Sequence, residues 1–166
     1  MPINADQLMA VFPHPVLTNI VGEPTLGRIT LQQSEHNGNL ASIKYNLGYG
    51  LTGLMVISMK PATFATIQPD PFTIPTNPAP GPDPDAIAAA SSSTKIANIY
   101  KAYALQRKIY SEFIKAERIS VKLSLDSMAD IYYKALKHTH TGYAKMTLPQ
   151  LLDHLVTTYA FINQFD

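Results

Sequence analysis

Apolar residues recur every three or four positions through the second half of the chain, a spacing typical of amphipathic helices. The longest pattern begins near Thr94 and predicts a helix of roughly six or seven turns. Its apolar stripe consists of Ile96, Ile99, Tyr103, Leu105, Tyr110, Phe113 and Ile114. A second helix is predicted over about Leu123–Lys137, with a stripe of Leu125, Met128, Tyr132 and Leu136. A third helix is predicted to begin at Thr147, because Gln150 completes a capping box.

Proline divides the chain. Eight of the 13 prolines lie between Pro61 and Pro84, where a residue without a backbone donor excludes helix interior and central strand. Residues 68–84 are therefore predicted to form an extended, polyproline-like connector. It separates an irregular or short-helical part, 1–67, from a three-helix part, 85–166, within what we expect to be one domain.

Shorter elements flank this connector. Helical segments are predicted at Thr25–Gln33, at Asn39–Asn46 and over residues 62–67. The apolar run Leu54–Met59 is too short to distinguish a strand from a buried helix. After the connector, Asp83 or Asp85 is expected to cap a helix, which the serine run before Thr94 should interrupt. Overall, the pattern predicts a mainly α, compact helical bundle with an irregular N-terminal segment.

Amino-acid composition excludes several classes of protein and several kinds of chemistry. The chain of 166 residues is 46% hydrophobic, which excludes wholesale disorder, and only 15% charged, which suggests surface covered by partner chains. No apolar run reaches 18 residues, and the N-terminus lacks a secretory signal pattern, so no membrane partner is expected. With no cysteine, thiol catalysis, disulfides and zinc knuckles are excluded within this sequence.

Positive charge is concentrated in residues 95–145, where ten lysines and arginines face four acids, a net charge of +6. The favoured interpretation is a solvated helix surface. The alternative is a helical nucleic-acid-binding or adaptor module that uses this basic region. The candidate RNA or partner contacts are Lys101, Arg107, Lys108, Lys115, Arg118 and Lys122.

Two motifs invite a chemical interpretation. Residues 48–53 match G-x-G-x-x-G, but the segment that follows reaches Pro61 too soon for the helix of a dinucleotide site, so a bend with close backbone approach is favoured. His138 and His140, with His154 and Asp153, suggest a metal site, but surface or capping histidines are favoured. With no catalytic constellation, we predict neither an enzyme nor a cofactor.

Tyrosine is frequent in the basic, helical half. Aromatic side chains among cations are able to stack on bases. However, four of them fit the apolar helical stripes, which favours core packing over stacking. These four are Tyr103, Tyr110, Tyr132 and Tyr159.

The order of several segments is similar to that in Gag-like proteins of copia-type LTR retrotransposons. The segments are FPHPVLTNIVGEPT at 12–25, NLGYGLTGL at 46–54, MKPATFAT at 59–66, PFTIPTNPAPGP at 71–82 and IYYKALKHTHTGYAKMTLPQLLDHLVTTYAFI at 131–162. Together they span about residues 12–162, so the resemblance covers nearly the whole chain.

The resemblance implies a capsid protein, and in particular an N-terminal capsid domain. Its partners would be other copies of itself in a shell, within cytoplasmic virus-like particles. RNA would be packaged mainly through regions outside this chain. Under this interpretation, we expect the N-terminal segment and the helices around 96–115 to supply the subunit contacts.

Overall fold

The structure, a computed structural model, describes residues 4–44, 52–68 and 72–160, and these are mainly helical, as the sequence predicts. The α-helices within them are α1 (Ala5–Met9), α2 (Leu26–Ala41), α3 (Pro61–Ile67), α4 (Pro84–Ala89), α5 (Ser93–Asp126) and α6 (Leu148–Leu155). The described residues contain no β-strand. None of the helices described here is both long and apolar enough to cross a membrane.

Helix α5 is the longest element, with 34 residues and a length of about 51 Å. Ser92 caps it by accepting a hydrogen bond from the Lys95 N–H at 3.3 Å. Neither glycine nor proline interrupts its sequence, so the helix runs well past the end that the first apolar stripe suggests.

The predicted second helix over Leu123–Lys137 is wrong. Its first residues, Leu123–Asp126, belong to α5. Ser127 caps the end of α5, because its N–H and its hydroxyl both donate to the Ser124 carbonyl, at 3.1 and 2.6 Å. The Ser127 carbonyl then accepts from the Ile20 N–H at 2.8 Å, and the chain turns away. Two 3-10 turns follow, at Asp130–Tyr132 and Lys134–Leu136.

Predicted caps are confirmed where they depend on local sequence. Thr147 and Gln150 form the capping box that begins α6. Thr25 caps α2 by accepting from the Arg28 N–H at 3.3 Å. Helix α2 is longer than predicted, because it also includes the start of the segment Asn39–Asn46, whose last two residues lie outside the described part.

Other short elements are also assigned. The run Leu54–Met59 contains a 3-10 helix, Met55–Ser58, and α3 confirms the helical turns predicted over residues 62–67. Asp83 rather than Asp85 caps α4, by accepting from the Asp85 N–H at 3.0 Å. Helix α4 ends before the serine run, as expected.

The proline-rich segment has no regular secondary structure over residues 72–83. It is nevertheless packed against its neighbours. The Phe72 ring lies 6.1 Å from both the Phe64 and the Phe113 ring, and the Tyr103 hydroxyl donates to the Ala79 carbonyl at 2.5 Å. The segment therefore lies along α5.

Two apolar clusters form the core of the part of the chain that the structure describes, and α5 contributes to both. The first joins the N-terminal part to the middle of α5 through buried Leu8, Phe12, Leu17, Leu40, Ile43, Leu54, Ile57, Ile109, Phe113, Ala116, Ile119 and Leu123. The second surrounds α6 with buried Ile20, Ile29, Val121, Met128, Tyr133, Leu148, Leu151, Leu152, Leu155 and Ala160. Residues from 4–44 and from 93–160 are thus packed together.

Helix α2 also buries four polar residues, which we call the polar seam: Gln32, Glu35, His36 and Asn39. On the α5 side, His36 Nε2 lies 2.6 Å from Ser124 Oγ. Burial lowers the pKa of His36 to about 4, against the opposing effect of neighbouring Glu35. The imidazole is therefore neutral at pH 7.

The same seam holds the N-terminal segment in place. The Asn39 side chain accepts from the His14 N–H and donates to the His14 carbonyl, both at 2.8 Å. The Glu35 carboxylate accepts from the Thr18 N–H at 3.0 Å and from its hydroxyl at 2.5 Å. Side chains thus supply the partners that an irregular segment needs for its backbone groups.

Candidate cationic groove

The first half of α5, Ser93–Lys108, differs in burial from the rest of the helix. Buried residues of α5 begin only at Ile109. Before that point, even large apolar side chains face solvent: Tyr100 is 52% exposed and Leu105 is 46% exposed. Four helical turns and the residues around them are therefore accessible to a ligand or a second chain.

Helical geometry places three of the predicted contact residues on one side of α5. Lys115 lies eight positions after Arg107 and Arg118 eleven positions after it. At 3.6 residues per turn, these offsets put Arg118 about 20° and Lys115 about 80° from Arg107 around the helix axis. The three cations therefore form a stripe about 16 Å long.

This stripe lines a groove of about 680 Å³ between α5 and residues 77–80 of the proline-rich segment, which we call the cationic groove. Its lining consists of Asn77, Pro78, Ala79, Pro80, Tyr103, Arg107, Tyr110, Ser111, Ile114, Lys115 and Arg118. No aspartate or glutamate is among these lining residues, although Glu112 interacts electrostatically with Lys115 and Glu117 with Arg118 from beside the groove. The groove thus combines three cations with an aromatic and aliphatic surface.

Tyr103 determines the shape of this groove. Its hydroxyl donates to the Ala79 carbonyl, which holds the proline-rich wall against α5. The Arg107 guanidinium carbon lies 5.9 Å from the centre of the Tyr103 ring, within the range of a cation–π contact. One side chain therefore positions both the wall and the first cation.

The other candidate contacts lie outside the cationic groove. Lys108 lines an adjoining depression of about 640 Å³, with Nζ 3.9 Å from Glu112 Oε1. Burial raises the pKa of Glu112, against the opposing effects of Lys108 and Lys115. Lys122 pairs with Asp126 at 2.5 Å, one turn before the end of α5, and Lys101 is exposed without lining the groove.

Predicted core packing of the tyrosines is confirmed for two of the four. Tyr132 and Tyr159 pack against the second apolar cluster with their rings edge to face, 5.3 Å apart. For Tyr103 and Tyr110 the prediction is wrong, because both line the groove and neither packs against either apolar cluster. Their helical spacing is the same, but the wall opposite them is the proline-rich segment.

The histidines have individual local partners. His138 Nδ1 accepts from the His140 and Thr141 N–H groups, each at 3.2 Å, so this ring caps a turn, as the favoured interpretation expects. His154 Nε2 lies 3.1 Å from the Tyr132 carbonyl, and Asp153 pairs with Lys60 at 3.0 Å. Among the described residues, no three metal-binding side chains converge.

The glycine motif is only partly described, because residues 48–51 lie outside the described part. Gly53 has a φ of +48°, and a Cβ there would lie 2.5 Å from the Ile43 carbonyl oxygen and 2.8 Å from that of Leu40. The interpretation as a bend with close backbone approach is therefore confirmed at Gly53. A 3-10 turn follows it rather than the helix that a dinucleotide site requires.

Comparison with protein-family models, with curated proteins and with solved structures finds no match for this chain. The similarity to Gag-like proteins therefore stays a prediction from the sequence motifs.

Proposed function

We propose that this chain is a structural, Gag-like capsid domain that associates with copies of itself into a shell that packages RNA, in cytoplasmic particles. The observation that carries the proposal is the exposed first half of α5, which presents Tyr100 and Leu105 to solvent on a rigid helix. A contiguous exposed apolar surface is typical of an interaction site, and the four exposed turns of α5 leave room for one. The proposed role requires no catalysis.

A second exposed surface supports the proposal. In the N-terminal segment, Val16 is 78% exposed and Val21 is 76% exposed. Leu17, which directly follows Val16, is buried. The hydrogen bonds that His14 and Thr18 make with the side chains of Asn39 and Glu35 hold this segment against α2. Because the segment is already ordered, a partner that binds these valines loses less conformational entropy on association.

Two separate apolar surfaces suit a shell. Contacts between unlike surfaces on successive copies propagate, and they close into a ring or shell when the rotation between copies allows it. Each contact is weak when taken alone, but closed assemblies hold every subunit through several contacts at once. The motif order described above adds the expectation that the shell is of the Gag type.

The test is the mass of the protein across a concentration series, measured by light scattering and sedimentation velocity. Wild-type mass is expected to rise with concentration. Replacing Tyr100 and Leu105 together by serine should keep the protein monomeric at the same concentrations. A matched control replaces Ile74 and Ile131, which are similarly exposed elsewhere, and should associate like wild type.

Two results of the mass measurement would contradict the proposal. One is a wild-type chain that stays monomeric up to the millimolar range. The other is an equal loss of association in both double variants, which would show a general effect of surface apolarity. Electron microscopy of the associated material then distinguishes closed particles from amorphous aggregate, and amorphous aggregate also contradicts a capsid role.

A further inference from the structure

We propose that the cationic groove binds a single strand of nucleic acid, with phosphates along Arg107, Lys115 and Arg118 and a base against Tyr110. This inference deepens the proposed function, because it assigns RNA binding to this domain itself. It depends on the groove geometry, whereas the association of copies depends on Tyr100 and Leu105. Neither of these lines the groove itself, although Leu105 lines the adjoining depression, which shares Arg107 and Lys115 with the groove.

The length of the stripe matches a short run of nucleotides. Arg107 and Arg118 are eleven residues apart, which is about 16 Å along the helix. Along the axis of a helically stacked strand the phosphates advance about 3.4 Å per nucleotide, so this distance corresponds to at most roughly five nucleotides, and to fewer when the strand is extended. Sites for single strands commonly cover about 4–16 nucleotides and combine a positive groove with aromatic side chains.

The proline-rich wall argues against a duplex. A bare helix, about 10–12 Å wide with its side chains, fills the major groove of DNA, which is about 12 Å wide. Here residues 77–80 lie beside α5 on the cationic side, so helix and wall together are too wide for that groove. A flexible single strand has no such restriction.

The lining also argues against an acidic peptide. Extended peptides gain affinity from backbone hydrogen bonds to a sheet edge. Neither wall offers one: α5 is a helix with its interior backbone groups paired, and Pro78 and Pro80 have no N–H. The groove instead offers charges and flat apolar surface, at Tyr110 and Ile114, and nucleotides carry both phosphates and flat bases.

The experiment measures fluorescence anisotropy of a labelled twelve-nucleotide uridine oligomer. The protein is kept below the concentration at which its mass begins to rise. With three phosphates neutralised, the logarithm of the affinity should fall with the logarithm of salt with a slope of about −2. Replacing Arg107, Lys115 and Arg118 together by glutamine should weaken binding at least tenfold and bring the slope near zero.

A matched control removes the same charge elsewhere. Lys134, Lys137 and Lys145 are exposed in the other part of the basic region and do not line the groove. Their triple replacement by glutamine should change the affinity less than twofold. Equal losses in both triple variants would overturn the proposal, because binding would then follow net charge alone.

Tyr110 tests the role of the ring. Tyr110→Phe should bind like wild type, whereas Tyr110→Leu should weaken binding by about fivefold or more, the effect of losing one stacked base. A hexaglutamate peptide should compete poorly. Competition by hexaglutamate at concentrations similar to those of the oligomer, or equal affinity in the two Tyr110 variants, would show a general anion site and overturn the assignment.

One further readout keeps this inference separate from the proposed function. The Tyr100 and Leu105 double variant should bind the oligomer normally, so a chain that binds RNA without self-associating contradicts only the capsid role.

If circular dichroism shows that the groove triple variant is unfolded, the exposed single changes Arg107→Gln and Arg118→Gln replace it. Each should then weaken binding severalfold, and no loss in either overturns the groove.

Discussion

The two halves of α5 share one continuous helix but have different surroundings. From Ile109 to Asp126 the helix buries Phe113 and Ala116 in the first apolar cluster and Ser124 against α2. From Ser93 to Lys108 no residue is fully buried. Periodicity therefore specifies which face of a helix is apolar, but the rest of the chain determines whether that face is covered.

The exposed half remains helical for local reasons. Ser92 provides the N-cap, and the alanine, lysine, leucine and arginine residues of this half have high helix propensity. The packed half also stabilises the exposed half as a helix. Extending an existing helix by one residue does not require the unfavourable nucleation step that a separate helix would need. The hydrogen bond from Tyr103 to Ala79 adds one tertiary contact.

The largest contrast is expected from shortening one apolar side chain in each half. Phe113→Ala removes a buried ring and should lower the free energy of unfolding by about 3–5 kcal/mol. Leu105→Ala shortens a side chain that is 46% exposed and should lower it by about 1 kcal/mol or less. Urea denaturation measures both values, and similar losses would mean that the two halves are equally packed.

The next largest effect is expected to be a loss of stability in acid, because His36 contacts Ser124 in the packed half of α5. Its pKa of about 4 in the folded protein lies below the ordinary 6.5 of the unfolded chain, so the unfolded state binds the proton more tightly. Burial of the neutral ring therefore costs no stability above about pH 6.5. The free energy of unfolding decreases as the pH falls from 6.5 toward 4, because the unfolded chain takes up the proton first. The loss amounts to at most about 3 kcal/mol.

Thermal unfolding at pH 7 and pH 5 measures this dependence. His36→Gln retains a hydrogen-bonding side chain but does not titrate there, so its stability should vary less between the two pH values. His14→Gln, at an exposed position, serves as the control and should behave like wild type. An unchanged pH dependence in His36→Gln would exclude His36 as its cause.

The smallest effect on stability is expected from removing the hydrogen bond between Tyr103, in the exposed half of α5, and the Ala79 carbonyl. Tyr103→Phe removes only the hydroxyl that donates to Ala79, which should cost about 1 kcal/mol or less in global stability. Amide hydrogen exchange should be more sensitive, with faster exchange in Ser93–Lys108 and unchanged exchange after Ile109. Uniformly faster exchange along α5 would contradict the distinction between the halves.

Local sequence signals predicted the helix starts well. The capping residues Thr25, Asp83 and Thr147 all occupy the predicted positions, because a cap depends on residues within one turn. One apolar stripe gave a wrong helix prediction, although its side chains do pack in or against the second cluster: Leu125, Met128, Tyr132 and Leu136. Two 3-10 turns bring them there after Ser127 ends α5, so the spacing matched but the backbone did not.

The candidate groove was only half predictable. The basic stripe is evident from residue spacing, and three of the six proposed contacts line the groove. The opposite wall was not predictable, because Ala79 and Tyr103 are 24 positions apart and nothing local indicates that they meet. The polar seam was missed for a related reason: glutamine, glutamate and histidine on a helix usually face solvent.

The amino-acid sequence by itself determined the helical class, the caps, the irregular proline-rich segment and the basic side of α5, because each follows from interactions within a few residues. The tertiary structure alone decided where α5 ends, which half of it is covered, and which side chains face the proline-rich wall. Those outcomes depend on contacts between distant segments, where burial and hydrogen bonding outweigh the weak preference of any single residue.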